Sequence, residues 1–472
     1  MTTRGARAGR AAATVLVPAA VTLAALATGV VPAWAGAGPG TGKPARHAVG
    51  ELTETYVDTH RATPAWGQSP RTASRTLVTT VLYPAAGTPT GASGGTPVAG
   101  AAPDRRTGPY PLVVFGHGLG STPEAYLPLL QGWASAGFVV AAPRFPLSSS
   151  ETPGGPDAAD VVHQPGDMSY VIGAVLRASA AATGPLSGLV DPHEIGAAGH
   201  SNGAITTLGL VADTCCRDPR VKAAVVMAGT TEGMPGGHYD LAGAPPTLLV
   251  HDTTDPIVPY RSAVVVYNAL RGPKGLLTLR GSTSPALAGT AAHMAASGVV
   301  GPTSSIVVRT TTAFFDAYLR GDRAARQRIV ADGTTPFTTI HADLTPGGGA
   351  RLPVPPAPVV HLKATASPST GLVDGQTVTV RWHGYTAGKV VNVLECSRID
   401  LATASSAGCD FSNADILHPD PTGSGSLQMQ VVSGAVGDGT CNATHTGCSI
   451  VVNNASSTDP SETVKVPITF AT

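Results

Sequence analysis

The sequence predicts an α/β domain built on a mostly parallel sheet, followed by a smaller all-β sandwich. Between residues 51 and 343, short strands that are apolar throughout alternate with helical stretches. This pattern is typical of a parallel sheet covered by helices on both faces. Over residues 361–472 the helical periodicity vanishes and Thr- and Val-rich strands recur between turns, as in an Ig-like sandwich. The Gly- and Pro-rich segment 344–360 predicts an extended linker.

The N-terminus has the pattern of an export signal. Three arginines precede an apolar run over residues 11–31, and an A-x-A cleavage motif follows at residues 33–35. We therefore expect residues 1–35 to be a signal peptide, residues 36–50 to be disordered, and the mature protein to be extracellular, monomeric and without a stable membrane anchor. The formal net charge of zero argues against a nucleic-acid partner.

The strands of the α/β domain can be placed in chain order. Sites on parallel sheets form at the carboxyl ends of strands, so the residues that follow each strand are the functional candidates. The expected strands are 112–115, 138–142, 195–198, 223–227, 247–250 and 276–279, and the expected helices are 125–136, 167–178, 204–211 and 311–319.

The candidate nucleophile is Ser201, in the motif Gly199-His200-Ser201-Asn202-Gly203. It lies where a predicted buried strand ends and a helix begins. A nucleophile at such a sharp turn needs small flanking residues, and Gly199 and Gly203 provide them. His200 is expected to point away from the reaction and to form part of the pocket wall.

An acyl-transfer site also needs backbone N–H groups aimed at the developing oxyanion. We expect one from Asn202, the residue after the nucleophile, and the other from Leu119 in the glycine-rich loop after residues 112–115. His117 precedes the serine in the chain and is interpreted as a structural part of that loop rather than as the base.

The acid and the base should follow the serine in the order Ser, Asp, His. Asp255, in the loop after the strand 247–250, is the expected acid, and Asp252 is its rival. His293 is the expected base because it lies before the last helix of the domain. The alternative, His341, lies beyond that helix and is interpreted as a surface histidine.

The cysteines suggest disulfides rather than a metal site, because none has zinc-ligand spacing. We expect no metal and no cofactor. Cys215 and Cys216 are adjacent, and they either form a vicinal disulfide or remain as two thiols. The last quarter of the chain holds four more cysteines, which allow three pairings: Cys396, Cys409, Cys441 and Cys448.

The α/β domain resembles the α/β-hydrolase superfamily in PLVVFGHGLGSTPEAY, the GHSNG elbow and HDTTDPIVP. It is similar in particular to bacterial platelet-activating-factor acetylhydrolase-like and polyester-hydrolase-like esterases. The resemblance implies Ser201 as nucleophile, His293 as base, Asp255 as the acid that orients the base, and the amides of Leu119 and Asn202 as the oxyanion hole.

The all-β domain is similar to the neocarzinostatin family, in ATASPSTGLVDGQTVTVRWHGYTAGKVVNVLEC, the cysteines and the closing VKVPITF. The resemblance implies an Ig-like sandwich with the pairs Cys396–Cys409 and Cys441–Cys448. Members of that family hold an apolar ligand in a cleft, but a fold does not determine a function. The domain is therefore either a ligand carrier or an inert spacer, and Trp382, Tyr385 and Phe411 are either ligand-facing or core aromatics.

These observations predict a secreted serine hydrolase that cleaves carboxylic esters through an acyl-enzyme. The expected substrates are short- or medium-chain esters, lipid esters or polyesters, all apolar. The alternative function is that of a carrier, in which the sandwich binds an apolar small molecule and the hydrolase domain acts on that ligand or serves as its scaffold.

Overall fold

The computed structural model describes residues 46–471, apart from several short segments. The predicted signal peptide lies outside the described residues. Strand β1 begins at Ala48, inside the segment expected to be disordered, because Ala48, Val49 and Gly50 continue the antiparallel pairing of that strand with its neighbour. The segments left out are 91–93, 232–233, 256, 282–292, 296, 346–348, 350, 356–361, 386–390, 399–407, 418–422, 446 and 455–461.

Ten of the described strands form one sheet. They are β1 Ala48–Asp58, β2 Arg75–Ala85, β3 Val98–Ala99, β4 Tyr110–Gly116, β5 Val139–Pro143, β6 Val190–His200, β7 Val221–Met227, β8 Thr247–Asp252, β9 Lys274–Leu279 and β10 Thr338–Asp343. Their order is β10-β9-β8-β7-β6-β4-β5-β2-β1-β3. The strands from β9 to β5 in this order are parallel, whereas β10 and the pair β2 and β1 add antiparallel edges. The predicted mostly parallel sheet is confirmed.

Successive residues of the strands β4, β5, β8 and β9 are all buried, which shows that helices cover both faces of the sheet there. Leu112 and Val114 pack with α2, α3 and α4, whereas Val113 and Phe115 pack with α1, α5 and α6. Helix α5 begins seven residues before the expected position, since Ile306 and Val307 also reach the core. The helices are α1 Leu127–Ser135, α2 Gln164–Ala180, α3 Asn202–Ala212, α4 Tyr260–Ala269, α5 Ser304–Leu319 and α6 Arg323–Gly333, with 3-10 turns at Pro123–Tyr126, Ala158–Val162 and Leu241–Gly243.

The C-terminal residues form antiparallel sheets around a separate core. The strands are β11 Lys363–Ser367, β12 Thr377–His383, β13 Val391–Cys396, β14 Cys409–Leu417, β15 Gly425–Gln430, β16 Gly434–Val436, β17 Gly439–Cys441, β18 Ser449–Asn454 and β19 Thr463–Pro467. Their sheets are β11-β12-β15, β14-β13-β18-β19 and β16-β17. Trp382 and Tyr385 are buried in the core of this sandwich. The side chain of Phe411 lies outside what the structure describes.

The disulfides of the sandwich are those that the resemblance implied. Cys396 is bonded to Cys409, and Cys441 is bonded to Cys448. Elsewhere, no helix among the described residues is long and apolar enough to cross a membrane.

Candidate active site

The predicted site residues meet at the carboxyl ends of the central parallel strands. Ser201 follows β6, Leu119 lies in the loop after β4, and Asp255 lies in the loop after β8. His293 comes from the connection between β9 and α5. This edge of the sheet is where open α/β sheets place their ligands.

Ser201 occupies a sharp strand-to-helix turn. Its backbone has φ 55° and ψ −122°, a left-handed conformation that is rare for a residue with a side chain. The turn is held by the Ser201 N–H, which donates to the Met227 carbonyl on β7 at 3.0 Å. Such a conformation lifts the serine hydroxyl clear of the sheet.

The two glycines of the elbow let helix α3 approach the sheet closely. A Cβ on Gly199 would overlap the carbonyl of Gly203, and a Cβ on Gly203 would overlap the carbonyl of Gly116 on β4. No other residue fits at either position without a backbone shift. The spacing of glycines around Ser201 is thus required by packing between β4, β6 and α3.

The carboxylate of Asp255 pairs with the imidazole of His293. The His293 Nδ1 lies 2.8 Å from Asp255 Oδ1 and 3.0 Å from Oδ2. His293 is 2% exposed and Asp255 is 7% exposed, so the pair is shielded from water. With Nδ1 bonded to the carboxylate, Nε2 is the nitrogen left for proton transfer.

Nε2 of His293 is buried and has no hydrogen-bond partner in the part of the chain that the structure describes. Ser201 Oγ is therefore not hydrogen-bonded to it here. The histidine nevertheless faces the elbow, since its ring lies 4.7 Å from that of His200, the residue before Ser201. Hydrogen bonds of this kind are often long in the absence of substrate.

Three further groups hold Asp255 in place. The N–H groups of Ile257 and Val258 donate to Oδ1 at 2.8 and 3.0 Å, and His251 Nε2 lies 3.4 Å from Oδ2. Burial by itself would raise the pKa of Asp255, but His293 and His251 lower it well below its usual value. The carboxylate is accordingly ionised at any pH at which a histidine is neutral.

The rival residues occupy other positions. Asp252 accepts hydrogen bonds from the Thr254 N–H and hydroxyl at 2.8 and 2.7 Å, and the carboxylate beside His293 is that of Asp255. His341 is exposed on the edge strand β10, which agrees with its interpretation as a surface residue.

The loop after β4 lies against the elbow. A Cβ on Gly118 would lie 3.2 Å from the Ser201 Cβ, so any larger residue there would crowd the serine. Among the described residues, no hydrogen-bond acceptor is seen for the N–H groups of Leu119 and Asn202. Both residues are half-buried, so an oxygen atom beside Ser201 can reach this region.

His117 has a structural role, as the sequence suggested. Its Nε2 accepts a hydrogen bond from the Phe145 N–H at 3.0 Å, and its Nδ1 lies 2.9 Å from the Gly118 carbonyl. Complete burial lowers the pKa of His117 to about 4, so the ring stays neutral. The histidine joins the loop after β4 to the loop after β5.

Two residues that contact the site were not assigned a role from the sequence. His251 reaches Asp255, and Tyr126 hydrogen-bonds to His200 Nδ1 at 2.8 Å. His251 lies near the carboxyl end of β8, so its position in the sequence could have indicated a place in the site. The sequence indicated no role for Tyr126, because its contact with His200 joins residues 74 positions apart.

Cys215 and Cys216, at the end of α3, form a vicinal disulfide, which resolves the two alternatives left open. Together with Asp213 they are the group of potential metal ligands found in the described segments. Because the two sulfurs are bonded to each other, they are not available as thiolate ligands in this state.

Both domains match known families. The model of the chlorophyllase family matches residues 87–228, and that of the neocarzinostatin family matches residues 364–470. Macromomycin of Streptomyces macromomyceticus is 34% identical over 115 residues, which make up 23% of this chain and 75% of that protein. A ferulic acid esterase structure from Streptomyces cinnamoneus aligns with a TM-score of 0.43 and 23% identity, over 61% of this chain and 93% of that one.

The first match includes the loop after β4 and the elbow, and it lies within a sheet of the expected topology. The chain therefore joins an α/β-hydrolase domain of the carboxylic ester hydrolase class to a C-terminal domain that belongs to the neocarzinostatin family.

Proposed function

We propose that this protein is a secreted, monomeric serine esterase in which Ser201, His293 and Asp255 form the catalytic triad. The observation that carries the proposal is the buried pair between His293 Nδ1 and the Asp255 carboxylate, at 2.8 Å, facing a serine with a left-handed backbone. The chain order Ser, Asp, His and the pairing of the last two residues support the proposal.

In the proposed reaction, His293 Nε2 takes the proton of the Ser201 hydroxyl while Oγ attacks the carbonyl carbon of the ester. The ionised Asp255 keeps the ring in the required tautomer and stabilises the imidazolium that forms. The alcohol leaves with the proton from His293. Water, activated by the same histidine, then releases the acid and regenerates the serine.

The tetrahedral intermediates need hydrogen-bond donors for their oxyanion. The N–H groups of Leu119 and Asn202 are proposed for this role. Leu119 follows Gly118, which packs against Ser201, and Asn202 is the residue after Ser201. Asn202 is also the first residue of α3, so the positive end of the helix dipole faces the oxyanion.

Apolar esters are the proposed substrates. Ile205, one turn after Ser201 on α3, packs with Val161 and Met234 in a small apolar cluster next to the elbow. A substrate that contacts this buried cluster would present an acyl or alcohol group without charge, as in short- and medium-chain esters, lipid esters and polyesters.

The test is hydrolysis of p-nitrophenyl esters with acyl chains of two to twelve carbons, by the purified protein and by Ser201→Ala. We expect the variant to lose activity by at least about 10³-fold and to lose covalent labelling by a fluorophosphonate. The exposed Ser150→Ala is the matched control and should behave as the unmodified protein. Full labelling or full turnover by Ser201→Ala would refute the proposed triad.

A carrier function of the sandwich is the second candidate. On the face of β13 and β18 opposite the core, Leu394 and Val451 are buried beside the Cys396–Cys409 disulfide. On the same face, the side-chain oxygens of Asn392 and Asn453 are buried without hydrogen-bond partners among the described residues. An apolar ligand with one or two polar groups would complement such a surface.

This second function is tested with the Ser201→Ala chain, which cannot consume an ester ligand. We expect an apolar aromatic fluorophore to bind in a saturable, one-to-one manner, with a Kd that rises at least tenfold in Leu394→Gln. Binding that is unsaturable, or unchanged in that variant, would leave the sandwich as a spacer.

A further inference from the structure

One buried hydroxyl group, that of Tyr126, joins the loop after β4 to the last residue of β6. The Tyr126 oxygen lies 3.0 Å from the Gly118 nitrogen and 2.8 Å from His200 Nδ1. Tyr126 is 0% exposed and His200 is 1% exposed, so water does not compete for these bonds. Tyr126 itself belongs to the 3-10 turn before α1, a third element.

The direction of the first hydrogen bond is fixed, because the Gly118 N–H can only donate and the Tyr126 oxygen accepts from it. Towards His200, the phenol donates its O–H when Nδ1 carries no proton and accepts from the Nδ1–H in the other tautomer. Burial lowers the pKa of His200 well below its usual value and raises that of Tyr126 to about 12, so both stay neutral.

One of these bonds reaches a backbone N–H group and the other a side chain, and both partners directly precede residues of the reacting centre. Gly118 is followed by Leu119, and His200 is followed by Ser201. A Cβ on Gly118 would lie 3.1 Å from the Tyr126 oxygen and 3.2 Å from His200 Nδ1. The hydroxyl, the loop and the elbow are thus in contact at one point.

We propose that Tyr126 is a positioning residue for ester hydrolysis, which sets the place of the Leu119 N–H relative to Ser201 by bonding at once to Gly118 and His200. The proposal rests on the function proposed above. It also accounts for the choice of donor: the Gly118 N–H is occupied by Tyr126, so the next amide, that of Leu119, is the one left for the oxyanion.

The test compares Tyr126→Phe with His200→Leu and His200→Asn. The Phe ring keeps the contacts with Phe115, whose ring centroid lies 4.8 Å away, and removes only the hydroxyl. Because misplacing an oxyanion donor acts on the transition state, we expect kcat to fall roughly tenfold or more, with KM within about twofold. An Asn side chain offers an oxygen near the position of Nδ1, so His200→Asn should retain more kcat than His200→Leu.

The matched control is Tyr83→Phe, which removes a hydroxyl that donates to the Ala101 carbonyl at 2.7 Å, away from the site. It should leave kcat unchanged. A Tyr126→Phe variant with the kcat of the unmodified protein, or equal kcat in the two His200 variants, would overturn the proposal. Failure of the proposed function is distinguishable, since it shows as activity that survives in Ser201→Ala.

Discussion

At the residue scale, Asp252 at the end of β8 and Asp255 in the loop that follows show how two nearby carboxylates can have different surroundings. Both are buried, and both accept hydrogen bonds from nearby backbone groups. Asp255 differs because two histidines, His293 and His251, also face it. A buried carboxylate with such partners stays ionised, which is the state that an orienting acid requires.

We expect Asp255→Asn to lower kcat/KM for p-nitrophenyl butyrate by about 10³–10⁴-fold, because an amide no longer favours the tautomer of His293 that accepts the serine proton. Asp252→Asn, the matched control at the end of β8, should cost less than about tenfold. The two rates are measured at the same pH on protein of matched thermal stability. A larger loss in Asp252→Asn would reassign the acid.

At the scale of elements, a buried cluster of charges joins β2 to α2 and to the turn before it. The guanidinium of Arg75, on β2, bonds to Asp160 at 2.9 Å and to Asp167 at 2.5 Å. Arg75 and Asp167 are both 0% exposed, and the half-exposed Arg61 adds a second ion pair to Asp167 at 2.8 Å. These ion pairs, here called the Arg75 cluster, fix strand β2 to helix α2 and to the turn before it.

Replacing Arg75 by Met should destabilise the protein by about 3–5 kcal/mol, because it leaves two carboxylates buried without their main partner. Arg61→Met should cost about 1 kcal/mol or less, since Arg61 is partly exposed. Adding Asp160→Asn and Asp167→Asn to Arg75→Met should recover part of the loss. Urea unfolding of the unmodified protein and of these three variants gives the free energies of unfolding. An Arg75→Met variant as stable as Arg61→Met would contradict this role of the Arg75 cluster.

At the scale of the whole molecule, the sandwich carries a buried acid that is not part of the hydrolase site. Glu395, on β13, is 1% exposed, and its Oε2 accepts from the Val432 N–H at 2.8 Å. Burial raises the pKa of Glu395 from 4.5 to about 7, and the charges of Asp410 and Asp374 act in the same direction. The folded sandwich therefore favours the protonated acid.

The sandwich should accordingly lose stability as the pH rises from about 4.5 to 7, by up to about 3 kcal/mol, and change little above that range. The sign follows from the raised pKa, because the folded state binds the proton more tightly than the unfolded chain. Hydrogen exchange of peptides from β12 and β13 gives this free energy. Glu395→Gln should remove the dependence, and a pH profile unchanged in that variant would rule out Glu395 as its source.

The strand-to-helix turn that holds the proposed nucleophile could be predicted because its signal is local. A strand, two glycines and a helix follow one another around Ser201 without interruption, and the same holds for the glycine-rich loop that contains Leu119. The alternation of strands and helices, the change to an all-β domain and its family are also local properties of the chain.

Other features depend on contacts between segments that are distant in sequence. Asp255 is distinguished from Asp252 by His293, which is 38 residues further on, and Tyr126 meets His200 across 74 residues. The start of β1 at Ala48 depends on its pairing with β2. By itself, the sequence determined the fold class, the order of the elements and the strand-to-helix turn that holds the proposed nucleophile. Only the tertiary structure showed that Asp255 pairs with His293 and that the Tyr126 hydroxyl contacts His200, because folding brings together segments that are distant in the chain.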